Sequence, residues 1–175
     1  AGYLEDATID NCIWESFEAV LRPKVDGTMN LIHALRAADT MPRDIVLFSS
    51  FASIVGNPGQ VSHAAANAFL DGFAHHARSQ GWPVTSINWG PWSEVGKLAN
   101  REDMRKRLHR LGLLDLSNET GLGVLKRTLG AGRAQVGCLT VDWAVLRDSF
   151  GLLGDRYLPS IEGTGGGDAK RSVSG

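Results

Sequence analysis

Residues 48–74 read FSSFASIVGNPGQVSHAAANAFLDGFA and join a strand pattern to a long alanine-rich helix pattern. Ser50 ends the apolar run before it, His63 follows thirteen residues later, and Asn67 lies four residues beyond His63. A separation of four residues places His63 and Asn67 on one face of a helix. The spacing therefore predicts a hydroxyl at a strand end opposite a polar pair, which suits hydrogen bonding to a carbonyl oxygen while a proton is delivered to it.

Strand and helix patterns alternate on both sides of this stretch. Apolar runs bounded by turn residues predict strands buried on both faces at 44–49 and 83–89, and a third strand at 135–141. Apolar repeats at three- and four-residue steps, with capping residues, predict helices over 8–22, 23–38, 60–80, 97–113, 117–129 and 142–150. This alternation predicts an α/β fold with a parallel sheet and helices on both of its faces.

The composition is that of an ordinary globular protein and excludes several classes of function. The chain has 175 residues, 43% hydrophobic and 21% charged, with a net charge of −1. That balance argues against a nucleic-acid binder, and no apolar run approaches the roughly 20 residues of a membrane-spanning helix. Cys12 and Cys138 are isolated within apolar patterns, which predicts buried free thiols and a cytoplasmic location.

Five runs of sequence together resemble one protein family. They are LRPKVDGTMNLIHAL (21–35), DIVLFSSFASIVGNPGQ (44–60), AAANAFLDGFAHHAR (64–78), INWGPW (87–92) and TVDW (140–143). These runs resemble the ketoreductase domains of modular polyketide synthases, members of the short-chain dehydrogenase superfamily, up to about Trp143. The resemblance implies a Rossmann-like parallel sheet. It also implies reduction by NADPH of the β-keto group of an acyl chain bound through phosphopantetheine to an acyl carrier protein.

The same resemblance implies roles for four residues. The catalytic lysine, serine and asparagine of the family correspond to Lys24, Ser50 and Asn67. Hydride addition builds negative charge on the carbonyl oxygen, which a hydroxyl donor at Ser50 would stabilise. Lys24 would lower the pKa of a neighbouring acid and bind the cofactor ribose, and Asn67 would hold a water or orient the lysine. His63 occupies the place of the family's catalytic tyrosine.

Histidine at this place leaves the chemistry open. Imidazole is shorter than a phenol and must be charged, or correctly tautomerised, to donate a proton, and a nearby Lys24 ammonium disfavours the charged form. Three interpretations of His63 follow: lost reduction, weakened reduction with imidazole as the acid, or an unusual or engineered exchange. The function is accordingly an impaired ketoreductase or a non-reducing domain that scaffolds its module, with epimerisation of an α-methyl-β-ketoacyl chain as a lesser alternative.

Two further sets of residues are assigned by the resemblance. Stereocontrol falls on Asp6, Pro58 and Gln60. The Leu4-Glu5-Asp6 triplet resembles the Leu-Asp-Asp mark of one stereochemical class, although a solvated acidic turn before a helix is the alternative. Cofactor contacts fall on Gly2, Ser49, Gly90, Pro91 and Trp92. A plain strand-ending turn is the alternative for residues 90–92.

No glycine-rich loop joins a strand to a helix in this sequence, although the resembling family has one upstream. We therefore expect residues 1–150 to be the C-terminal catalytic half of the domain, with residues 151–175 as an extension and flexible Gly/Ser-rich linker. A segment from the missing N-terminal half should then complete the sheet, beside neighbouring synthase domains. The charged run 101–110 is a lid, a surface for an acidic carrier protein or a solvated helix face. No metal site is expected, because the histidines have no ligand spacing: His33, His75, His76 and His109.

Overall fold

The computed structural model describes residues 2–94 and 102–150. The helices are a 3-10 turn at Ile9–Asn11, then α1 Trp14–Leu21, α2 Val25–Ala37, α3 Ala52–Val55, α4 Val61–Ser79, α5 Glu102–Arg110, α6 Asn118–Thr128 and α7 Trp143–Phe150. The strands are β1 Ile45–Ser50, β2 Val84–Trp89, β3 Leu113–Leu114, β4 Gln135–Cys138 and β5 Thr140–Val141. The predicted linker at 151–175 lies outside the described residues.

The main sheet is parallel, as predicted, with the strand order β1-β2-β4. Ile45 pairs with Val84 and Ser50 with Trp89, so the carboxyl ends of β1 and β2 lie side by side. Every residue of β2 is buried, as the sequence predicted for 83–89. The α/β fold with a parallel sheet is therefore confirmed.

Helices cover both faces of this sheet. One face packs against α2 and α4 through a core of Ile32, Ile45, Leu47, Leu70, Ala74, Ala77, Trp82 and Val84. The other face packs against α6 through Ile87, Trp89, Leu116 and Cys138, with Val124 and Leu125 at its margin. Ser117 caps α6 by accepting the Thr120 N–H at 3.2 Å, as its position before the apolar repeat predicted.

Two sequence-based expectations about β1 and β4 are wrong. Phe48 of β1 is 54% exposed, because on this face α6 packs against β2 and β4, and the Phe48 ring lies at the margin, 5.3 Å from the ring of Trp89. The predicted strand 135–141 is broken at Leu139. After Cys138 the chain leaves the parallel sheet, and Thr140–Val141 pairs antiparallel with Leu113–Leu114.

The predicted helix over 8–22 is also wrong in its first half. Only Ile9–Asn11 forms a 3-10 turn, and α1 begins at Trp14. Ile9 and Ile13, expected on an apolar helix face, are 74% and 61% exposed. The backbone here follows the start of α4 instead, where Ala7 forms a parallel bridge with Gln60.

Both cysteines are free, as predicted, but only Cys138 is buried, while Cys12 is half-buried. Burial raises the pKa of the Cys138 thiol to about 11. Among the described residues, no helix combines the length and apolar character needed to cross a membrane.

Candidate active site

The interface between α4 and the sheet changes character along its length. Near the amino ends of the strands, α4 contributes leucine and alanine to an apolar end made of Ile45, Leu70, Ala74, Ala77 and Val84. Near the carboxyl ends it contributes an amide and a carboxylate to a polar end made of Ser49, Asn67, Asp71, Ser86 and Asn88, all of them buried. Burying polar groups is costly unless they are hydrogen-bonded, so a buried polar cluster adds little stability for its cost. We therefore take the polar end as the candidate site.

Ser49 and Ser50 occupy the carboxyl end of β1, as the spacing predicted. The buried Ser49 Oγ donates to the carbonyl oxygen of Asn67 at 3.2 Å, and this bond ties β1 to α4. Ser50 is half-buried, and its Oγ accepts the Ala52 N–H at 3.2 Å. Accepting this bond leaves the Ser50 hydroxyl proton directed elsewhere, so Ser50 is able to donate to a substrate oxygen.

Lys24 lies directly before α2 and reaches the same strand end. Its Nζ donates to the Phe48 carbonyl oxygen at 2.7 Å. Burial lowers the pKa of the Lys24 ammonium to about 8, and the Asp71 carboxylate opposes that effect. Lys24 is therefore mostly cationic at neutral pH and lies one residue along β1 from the serine pair.

His63 and Asn67 lie in the first two turns of α4. His63 is half-buried, and Asn67 is completely buried. The Asn67 Nδ2 donates to the His63 carbonyl oxygen at 2.7 Å, which fixes the amide against the helix backbone. Its Oδ1 is buried without a hydrogen-bond partner among the described residues. The water-holding or lysine-orienting role of Asn67 stays a prediction.

The three predicted stereocontrol residues lie along one rim beside the start of α4. Gln60 donates to Asp6 Oδ1 at 2.8 Å and accepts from Asn57 Nδ2 at 2.7 Å. The Pro58 carbonyl oxygen accepts from Arg107 of α5 at 3.2 Å. The rim therefore joins the Leu4–Asp6 segment, the 57–60 loop and the charged helix α5.

Glu5, in the middle of the acidic triplet, is also held in place. Its carboxylate accepts from Ser16 Oγ at 2.8 Å and from Tyr3 Oη at 3.1 Å. The Glu5 carbonyl oxygen lies 3.4 Å from Ser62 Oγ, which donates to it. These bonds connect the triplet to α1 and α4, so its backbone position is defined by the neighbouring helices.

The residues predicted to contact the cofactor fall into two groups. Gly90, Pro91 and Trp92 follow β2 and pack within the protein. Gly90 lies against the end of β4, where its N–H donates to the Cys138 carbonyl oxygen at 2.8 Å. The Trp92 ring lies 5.0 Å from that of Trp89. Gly2 is exposed, and Ser49 belongs to the polar end; the cofactor contacts of all five stay predictions.

Sequence reasoning missed the residues that connect the polar end. Asp71 on α4 and Ser86 and Asn88 on β2 form a buried cluster, in which Ser86 Oγ donates to Asp71 Oδ1 at 2.6 Å and Asn88 Nδ2 donates to Asp71 Oδ2 at 2.8 Å. A signal was present in the sequence. Positions 86 and 88 alternate on one face of a buried strand, and Asp71 lies one turn beyond Asn67 on α4.

Helix α5, Glu102–Arg110, borders the rim. The helix predicted over 97–113 is wrong at its end, because Gly112 has a φ of 82° and Leu113 begins β3, while residues 97–101 lie outside the described residues. Asp115 fixes its position by accepting from Arg105 at 2.8 Å and by contacting His109 Nε2 at 3.0 Å. Burial raises the pKa of the Asp115 carboxyl, but the hydrogen bonds from His109 and Arg105 outweigh that effect and lower it overall. The exposed cations Lys106, Arg107 and Arg110 remain at the surface of this helix.

Comparison with known proteins agrees with this architecture. The family model for the KR domain matches residues 1–94. Polyketide synthase GfsE of Streptomyces halstedii is 42% identical over 151 residues, which are 85% of this chain and 4% of the synthase. The chain therefore belongs to the KR family, the ketoreductase domains of polyketide synthases.

Solved structures give the same result at the level of the fold. An A1-type ketoreductase is 34% identical with a TM-score of 0.81, over 86% of this chain and 31% of that one. The angucycline C-6 ketoreductase LanV, solved with bound NADP, is 18% identical with a TM-score of 0.66, over 79% of this chain and 58% of LanV. The second likeness concerns the fold alone. The chain thus spans a small part of the synthase and about a third of the A1-type structure.

Proposed function

We propose that this chain forms the catalytic half of a domain that binds NADPH and a carrier-bound β-ketoacyl thioester, and that its reduction of the β-keto group is impaired by His63. The observation that carries this proposal is the meeting of Lys24, the Ser49–Ser50 pair and Asn67 at one strand end. A hydroxyl donor, a cation and a helix-borne amide around one point suit a ketone that gains negative charge on oxygen.

Reduction requires a hydride at the carbonyl carbon and a proton at the carbonyl oxygen. NADPH would supply the hydride. Ser50 would donate a hydrogen bond to the oxygen as its charge develops, and Lys24, largely protonated at neutral pH, would stabilise that charge. The proton must come from an acid held close to the oxygen, and residue 63 on the first turn of α4 is the candidate for that place.

Imidazole at residue 63 explains why the rate should be low. A positioned general acid contributes about 10²–10⁴-fold to a rate. A neutral imidazole at residue 63 donates from one nitrogen only, so His63 must hold the correct tautomer or be cationic, and the Lys24 ammonium at the same strand end opposes a second positive charge. We therefore expect a bound substrate to be polarised by Ser50 while its protonation is slow.

The chemistry of the site fits the nicotinamide end of the cofactor. A carboxamide and a ribose offer both donors and acceptors. Asn67 Oδ1 is a buried acceptor without a hydrogen-bond partner among the described residues. Lys24 would hold the ribose, Asn67 would hold a water or orient the lysine, and the 90–92 segment would lie beside the nicotinamide. LanV, which shares the fold, is solved with NADP.

The expected partner is an acyl carrier protein that presents its chain on phosphopantetheine. The phosphate of that arm is anionic, and α5 offers exposed cations beside the stereocontrol rim. Arg107 reaches the rim directly, because its guanidinium donates to the Pro58 carbonyl oxygen at 3.2 Å. These contacts favour an approach of the arm past α5, although a solvated helix face accounts for the same charges.

The test compares the wild-type sequence with His63→Tyr, both within the full synthase subunit. NADPH oxidation is followed with a β-ketoacyl N-acetylcysteamine thioester. We expect His63→Tyr to raise the rate by about 10²–10⁴-fold. The matched control is His63→Tyr combined with Ser50→Ala, which should lose most of the gain because the oxyanion donor is gone. A wild-type rate equal to that of His63→Tyr would refute impairment.

Histidine in place of tyrosine also favours a second candidate, a non-reducing domain that scaffolds its module. In that case neither form binds NADPH in a calorimetric titration, and His63→Tyr restores nothing. The lesser alternative, epimerisation, is distinguished by exchange of the α-hydrogen of an α-methyl-β-ketoacyl thioester in D₂O without NADPH oxidation.

A further inference from the structure

Asp71 is a buried carboxylate for which the proposed chemistry has no role so far. It is 8% exposed and lies on α4 one turn after Asn67. Ser86 Oγ donates to its Oδ1 at 2.6 Å, and Asn88 Nδ2 donates to its Oδ2 at 2.8 Å. Ser53 Oγ also lies 2.6 Å from Oδ2. An ionised carboxylate is costly to bury unless hydrogen bonds and a counter-charge compensate it, and here three donors converge on it.

Two of those donors connect Asp71 to the backbone of Ser50. Ser53 Oγ lies 2.7 Å from the Ser50 carbonyl oxygen, and Asn88 Nδ2 lies 3.4 Å from the same atom. The single Ser53 proton serves either the carbonyl or Asp71 at one time, while Asn88 donates to Ser53 Oγ at 2.9 Å. The carboxylate therefore orders the two side chains that contact the strand end bearing Ser50.

The third link is electrostatic. Lys24 donates to the Phe48 carbonyl oxygen, two residues before Ser50 on β1. Burial lowers the pKa of Lys24, and the Asp71 carboxylate opposes that effect and so favours the cationic form. One carboxylate thus bears on both the donor hydroxyl and the cation of the candidate site.

We infer that Asp71 is a positioning residue that orders the strand end at Ser50 through Ser53 and Asn88 and supplies the negative charge opposite Lys24. This inference rests on the proposed function for its meaning, since Ser50 and Lys24 are the groups that act on the substrate. The coupling of the Asp71 carboxylate to both residues can be measured without following the reaction.

The main test is an NMR titration of ¹³Cε-labelled lysine in the full chain, with the Lys24 signal assigned by its loss in Lys24→Arg. Asp71→Asn keeps the shape and removes the charge. We expect the Lys24 pKa to fall by roughly one unit in Asp71→Asn. Asp71→Glu restores the charge, so the Lys24 pKa in that variant should lie within about half a unit of the wild-type value. Asp115→Asn, the matched control, removes a carboxylate that Arg105 and His109 hold and should leave the Lys24 pKa unchanged.

A folded Asp71→Asn variant with an unchanged Lys24 pKa would overturn the inference, and this outcome says nothing against ketoreduction itself. If Asp71→Asn does not fold, Ser53→Ala serves instead. It keeps the carboxylate and removes one donor, so amide exchange at Ala52, whose N–H donates to Ser50 Oγ, should accelerate about tenfold. Unchanged exchange at Ala52 in Ser53→Ala would refute the ordering of Ser50.

Discussion

Along a single helix–sheet interface, α4 packs in two different ways. At the apolar end, the aliphatic side chains of Leu70, Ala74 and Ala77 close against β1 and β2. At the polar end, which begins about one turn earlier and includes the residue after Leu70, Asn67 and Asp71 face serines and an asparagine of the same two strands. Both ends are equally buried, so their different compositions must reflect different tasks.

Energetics separates these tasks. Apolar burial contributes about 25 cal/mol per Å², whereas a hydrogen bond contributes only about 0.5–1.5 kcal/mol net. The apolar end therefore supplies most of the stability of this interface. The polar end adds less stability, but its directional bonds fix Ser49, Asn67 and Asn88 relative to one another. Removing one hydrogen-bond partner at the polar end leaves a buried polar group unsatisfied, so substitutions there destabilise the fold through lost hydrogen bonds rather than through lost apolar burial.

Leu70→Ala should have the largest effect on stability. Leu70 is 3% exposed in the apolar end, and comparable truncations cost about 2–5 kcal/mol. Urea unfolding of the full chain, followed by tryptophan fluorescence, measures the loss. Leu31→Ala is the matched control, because Leu31 is 45% exposed on α2 and should cost well under half as much. Equal losses for the two variants would contradict the assignment of the core.

Ser86→Ala should have the next largest effect and should differ in kind. The variant fits the strand but takes the donor from Asp71 Oδ1, and an unsatisfied buried acceptor costs about 1–3 kcal/mol. The control is Ser79→Ala, whose exposed hydroxyl donates to the His76 carbonyl oxygen and should change stability by less than about 0.5 kcal/mol. A loss for Ser86→Ala no greater than for Ser79→Ala would mean that the polar end is not coupled.

The apolar end was largely predictable from sequence, and the polar end only in part. The strands expected at 44–49 and 83–89 and the helix at 60–80 agree with the structure to about one residue, because continuous apolar runs between turn residues mark them. Ser50 falls at the end of β1 for the same reason. The roles of Lys24 and Asn67 came from a family resemblance, and the structure adds their hydrogen bonds.

What could not be predicted depends on contacts distant in sequence. The pairing of Leu113–Leu114 with Thr140–Val141 and the bridge between Ala7 and Gln60 have no local signal. Asp71 was overlooked because its partners, Ser86 and Asn88, lie in another element. The exposure of Phe48 likewise depends on the position of α6, and the sequence of β1 gives no information about that position.

The pH dependence of stability tests the polar end through the charge of Lys24. Burial lowers the pKa of Lys24 to about 8 in the folded chain, below the 10.5 of a lysine exposed to water. Between these values the unfolded chain binds more protons than the folded chain, so the free energy of unfolding should rise with pH, by at most about 1.4 kcal/mol per pH unit. Urea unfolding from pH 7 to 10 measures the slope, and Lys24→Met should lack the added rise. An identical pH profile for both proteins would place Lys24 in solvent.

Gln135→Ala should have the smallest effect and locates where the polar end stops. Gln135 of β4 donates to Asn88 Oδ1 at 2.9 Å and contacts His75 Nε2 at 3.1 Å, but it is only half-buried. Because water can replace its amide, we expect a loss of about 0.5–1.5 kcal/mol in urea unfolding. In a double-mutant cycle with Ser86→Ala, the coupling should stay below about 0.5 kcal/mol. A larger coupling would mean that the cooperative network extends from Asp71 across β2 to the surface of β4. The polar end would then include all three strands of the main sheet rather than only the interface between α4, β1 and β2.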